Sequence, residues 1–159
     1  MGHFGFSWMG LIFLVLMFVP NLLWTRCVPE GYTDREASRV LTIFERVGQL
    51  LTFSTALCFS DTNWQPLSPW SLWLLAAFIA IALYEGWWIR YFRSSKTLAD
   101  FYRGYLGIPL AGATLPLASL FLLGVYGRLI WLPLSVLVMA VGHIGIHWQH
   151  AKENHAQIP

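Results

Sequence analysis

Charge is scarce in this chain. Only 11% of its 159 residues are Asp, Glu, Lys or Arg, against about a quarter in an ordinary globular domain. A formal net charge of +2, with no basic stripe interleaved with aromatics, excludes a nucleic-acid surface. Cysteine is nearly absent: Cys27 and Cys58 are the two, too few and too far apart for a CxxC redox pair or a disulfide framework. Free thiols are expected. The chain also lacks a P-loop, a Rossmann glycine pattern, a GxSxG elbow and a paired-cysteine motif, so no cofactor is predicted. Neither a Lys nor an Arg precedes the first apolar run and no small-x-small site follows it, so a cleaved signal peptide is not expected.

What is present is apolar and aromatic. Hydrophobic residues make up 57% of the chain, including 9 Trp, 11 Phe and 6 Tyr. Runs of roughly 20 apolar residues predict an all-α, polytopic transmembrane helix bundle with five spans. The expected spans are about 4–24, 37–60, 69–92, 107–124 and 128–150, which make residues 1–159 a single integral membrane domain. Pro20 should kink the first helix. Thr33 with Glu36 reads as a capping box opening the second near Asp34. Ser68 and Pro69 open the third. Thr97 with Asp100 starts a short interfacial helix between spans three and four. Pro109 and Pro116 fall on a similar face of the fourth. Tryptophans near the helix ends, Trp24, Trp87, Trp88 and Trp148 among them, read as an interfacial belt.

Positive charge alternates along the loops. Arg26, Arg35 and Arg39 mark one connection, and Arg90, Arg93, Lys96 and Arg103 another, whereas the intervening connections carry only Arg128 or none. The positive-inside rule then sets the N-terminus outside and the C-terminus in the cytoplasm. Arg90, Arg93, Lys96 and Arg103 are expected at lipid headgroups.

Against this apolar background the polar residues stand out. Glu45, Gln49, Asn21, Glu85 and His143 fall at comparable depth in the cytoplasmic half, about 9 Å in for Glu45 at 1.5 Å per residue. Ser38, Thr42, Glu45, Gln49 and Thr52 make one stripe of a helix, and His143, His147 and His150 another. Arg46 points about 100° away from Glu45, with Glu85 its expected partner. The leading expectation is a small ligand or ion bound in this layer by Glu45, Gln49, Asn21, Glu85, His143 and Arg46, in a transporter component. The alternatives are a membrane-embedded enzyme acting on a lipid or amphiphile at the cytoplasmic leaflet, with His143 as acid or base and Glu45 or Glu85 its partner, and a structural accessory subunit. A homo-oligomer or larger membrane partner would accompany the first. His143 and His147, spaced i and i+4, are the pair that a metal would use, but "HIGIH" lacks the His-Glu-x-x-His pattern and no metal site is predicted.

The blocks "PNLLW", "FERVGQ", "YEGWWIRYFRS", "GIPLAGATLP" and "GHIGIH" resemble those of small bacterial multi-pass inner-membrane proteins of unassigned function. That resemblance implies a bacterial inner membrane and no activity. Length and tryptophan content also resemble the tryptophan-rich sensory proteins, whose proline- and tryptophan-rich first-helix motif has no counterpart in this chain.

Overall fold

Pairing of helices distant in the chain organises the molecule. The computed structural model describes residues 2–32 and 38–155. The box expected at Thr33 and Glu36, the start near Asp34, and Arg35 lie outside them. Among the described residues are six α-helices: α1 (Trp8–Trp24), α2 (Arg39–Cys58), α3 (Leu72–Arg93), α4 (Leu98–Tyr102), α5 (Ala111–Tyr126) and α6 (Trp131–His155). Single 3-10 turns, Ser60–Thr62 and Pro69–Ser71, link α2 to α3.

The most extensive contact joins α2 to α6, followed by α3 with α5 and α5 with α6, while α1 packs across α2, α3 and α5. Glycine sets the closest approach. A Cβ on Gly48 would strike the backbone of Met139, and one on Gly142 the backbone of Glu45 and Leu41. Two helices therefore touch backbone to backbone at these points, and α2 runs antiparallel to α6. The core is built from Phe13, Tyr84, Tyr91, Leu120, Leu123, Tyr126, Leu129 and Leu132, each at most 1% exposed.

Local chemistry fixes the ends. Ser7 Oγ accepts from the Gly10 amide at 2.8 Å and caps α1. The residues before it run extended along the end of α2, with Gly5 N donating to Cys58 O at 3.0 Å and Ser7 N to Leu57 O at 2.9 Å. Asp61 accepts His3 Nδ1–H at 2.7 Å beside them. At α4, Thr97 Oγ1 accepts from Asp100 N at 3.1 Å while Asp100 Oδ2 accepts from Thr97 N at 3.2 Å. Tyr105 and Ile108 exchange backbone hydrogen bonds of 3.1 and 2.9 Å around Leu106 and Gly107, whose φ values of 51° and 80° make a left-handed two-residue turn.

The five-span expectation is corrected here. Among the described residues two helical stretches, Pro69–Arg93 and Trp131–Glu153, are long and apolar enough to cross a membrane by length and composition. At 17 and 16 residues, α1 and α5 extend only about 24–26 Å, short of a hydrocarbon layer of roughly 30 Å. The first helix is shorter than expected because residues 4–7 are extended, and the fourth because Pro109 and Leu110 precede it. Although α2 is 20 residues long, Glu45, Arg46 and Gln49 make it too polar. The polytopic bundle, the orientation, the inner-membrane location, the lipid or membrane partner and the resemblance to multi-pass proteins all rested on five spans and fall with them.

The expected interfacial helix is corrected as well. Phe101 of α4 is 8% exposed and packs on Trp24, Trp87 and Tyr91 at ring separations of 5.4–5.6 Å. Nor do Trp87 and Trp88 belong to a belt, since each is 3% exposed. Arg90 serves the fold rather than a headgroup: its Nη2 donates to Asp100 O at 2.9 Å and Arg103 O at 3.3 Å, tying α3 to α4. The headgroup expectation for Arg93, Lys96 and Arg103 was built on the five-span bundle. Lys96 sits at a φ of 55°, in the turn before α4.

Candidate functional site

Five elements close a chamber of about 50 Å³ near one end of the bundle. Its wall includes Asn21 of α1, Trp87 and Trp88 of α3, Phe101 and Tyr102 of α4, Gly112 of α5, and His143 and His147 of α6. The volume matches one or two small polar atoms, water occupying about 30 Å³ in the liquid. Gly112 is required by this geometry, because a Cβ there would enter the six-membered ring of Trp87.

Behind the chamber, Glu45 of α2 reaches across to α6. His143 Nδ1 lies 2.7 Å from Glu45 Oε1, with side chains 20% and 17% exposed. A carboxylate at that distance accepts an Nδ1–H, which leaves Nε2 as the second functional nitrogen of the ring. Close backbone contact at Gly142, one residue before the histidine, brings the pair within reach. The hydrogen bond from His143 is the largest influence on Glu45. With the positive fields of His143, Arg46 and His150, it outweighs burial and holds the carboxyl below its ordinary range. Glu45 is therefore an ionised acceptor at neutral pH.

His147 stands one turn further along α6, its ring T-shaped to His143 with centroids 4.7 Å apart. Burial, then the neighbouring His143 and His150, pushes it down to about 3. It is a neutral imidazole. Asn21 is anchored through its amide, Nδ2 donating to Met17 O and Tyr84 Oη at 2.7 Å each. Tyr84 Oη also donates to Met17 O at 3.1 Å. The proline one residue before Asn21 leaves the helix unbroken. Among the described residues the buried indole N–H of Trp87 has no hydrogen-bond partner.

The residues singled out from the sequence thus divide. His143 and Asn21 line the chamber, and Glu45 supports His143 from behind. Gln49 and Arg46 do not line it, and among the described residues Arg46 forms no ion pair with Glu85. Glu85 carries a buried, unpartnered Oε1 elsewhere on α3. A polar layer in the cytoplasmic half of a five-span bundle is replaced by this chamber. Nor do three His, Cys, Asp or Glu side chains gather to hold a metal among the described residues.

Trp87, Trp88, Phe101 and Tyr102 were missed as site residues. The signal lay in Tyr84, Trp87, Trp88 and Tyr91, whose 3-1-3 spacing marks one buried helix face. A wider cleft of about 430 Å³ lies beyond Tyr102 and Leu110, which belong to both walls. At the other end of the molecule, a cleft of about 550 Å³ around Phe4, Leu51 and Trp131 has no titratable side chain in its wall. No family model, no curated protein and no solved structure matches the chain.

Proposed function

We propose that the chain folds as one domain around a general acid–base site, with His143 transferring a proton at Nε2 to and from a small polar group in the chamber. The observation that carries this reading is the 2.7 Å contact between His143 Nδ1 and Glu45 Oε1, formed by residues 98 apart in sequence. An ionised carboxylate fixes the tautomer, orients the ring and stabilises the imidazolium formed when Nε2 takes a proton. His147, neutral beside it, adds no competing charge. With no serine or cysteine in the wall, proton transfer is favoured over a covalent acyl intermediate.

Ring-nitrogen NMR of the full chain tests the premise. In the neutral ring Nδ1 rather than Nε2 should carry the proton, and Glu45→Gln should erode that preference. Solvent-deuterium exchange into a panel of small carbonyl compounds tests the consequence. His143→Gln should slow it about a hundredfold or more. A resting tautomer protonated at Nε2 would refute the proposal.

A further inference from the structure

The chamber is too small for a whole organic substrate, and the wider cleft lies across a shared wall. About 430 Å³ falls within the range of small-molecule sites. Tyr102, Ile108, Pro109, Leu110 and Trp148 supply an apolar and aromatic lining, and Lys152 is the charged residue in it. Among the described residues no carboxylate lines the cleft. Lys152 Nζ rests 5.4 Å from the Trp148 ring centre, so the ammonium is held beside an aromatic face. One lining residue is strained: Leu110, not a glycine, holds a φ of 47°. Such conformations cluster at ligand clamps and are sustained by the surrounding structure.

We infer that this cleft binds the planar, apolar body of an organic carboxylate, with the carboxylate at Lys152 and a polar group at the opposite end directed past Tyr102 and Leu110 to His143. The inference rests on the acid–base reading for the chemistry at His143, but the cleft is tested separately from it. Charge complementarity selects an anion for the Lys152 end. The aromatic faces select a flat body, and the size of the chamber limits the far group to something like a hydroxyl or carbonyl. Lys152 and Trp148 lie on α6 four residues apart, so one helix face presents both.

The probes are para-biphenylcarboxylate, its para′-hydroxy derivative and the hydroxy derivative's neutral amide, titrated into the full-length protein by calorimetry. Saturable binding of both carboxylates is expected, weakened about fivefold by Lys152→Met and to a similar extent in the amide. The hydroxy carboxylate alone should shift the His143 ring nitrogens. His143→Gln should leave binding of the unsubstituted carboxylate, which has no group to reach it, in place, so a failed acid–base reading and a failed cleft give different results. Absent or non-saturable binding, or affinity indifferent to Lys152→Met and to the amide, overturns the carboxylate site. Binding without any shift at His143 overturns the connection between cleft and chamber. Unchanged thermal unfolding of Lys152→Met shows that weakened binding is not lost structure.

Discussion

Replacing Glu45 by Gln keeps an oxygen near His143 Nδ1 but removes the charge it faces. Both side chains are less than a quarter exposed, so the change should cost about 1–3 kcal/mol. Denaturant unfolding measures this. The double variant with His143→Gln should cost less than the two single changes summed, because the partners act as a unit. Acid affects the same neighbourhood in two windows. His147 is lowered to about 3 in the folded protein, whereas an unfolded histidine titrates near about 6.5. Protonation therefore favours unfolding, and the stability His147 allows at neutral pH is lost progressively as pH falls from about 6.5 towards 3. Glu45 and Asp61 are lowered too, so their contributions are complete only above about 4.5 and are lost below it. At Asp61, burial pushes upward but the bonds from His3 outweigh it. Melting temperature should thus begin to fall well above the carboxylate range, and His147→Asn should remove that early decline.

Between α2 and α6 the decisive atoms are missing ones. Gly142→Ala inserts a methyl into the backbone of Glu45 and Leu41, and Gly48→Ala one into Met139. Each should cost about 1–3 kcal/mol by overpacking. Only Gly142→Ala should also disturb the His143 tautomer, since only it pushes on the residue that holds the ring. Thr97→Ala should cost about 1 kcal/mol through the lost cap of α4. That cap was legible, because Thr97 and Asp100 have a local signature. So was the entry to α3, where Ser68 N donates to Ser71 Oγ at 3.1 Å and Pro69 follows. The Glu45–His143 bond was legible only as one of two pairings, with Glu45 or with Glu85. Sequence spacing gave each residue a helix face and a depth, while the choice of Glu45 over Glu85 depends on which helix packs against α6.

At the scale of the molecule, apolar run length was a poor guide to the number of spans. The run before Trp8 is extended, held by backbone bonds to α2 and by His3 on Asp61, and the run around Pro109 is a turn. Composition alone does not reveal either, because an extended strap and a helix can use the same apolar residues. The aromatic stripe of α3, whose tryptophans were read as an interfacial belt, held the better signal, because Tyr84, Trp87, Trp88 and Tyr91 belong to the core. The pairing of α2 with α6 also has a kinetic consequence. Other helices intervene in the chain between these two, so their contact closes a long loop that contains α3, α4 and α5, and long-range contacts of this kind slow folding relative to local helical hairpins. Stopped-flow measurements on Gly48→Ala should show most of its effect in the unfolding rate, with refolding nearly unchanged, as for a contact made after the transition state. The imidazole and its carboxylate would then meet late in folding, making the acid–base pair a marker of completed assembly.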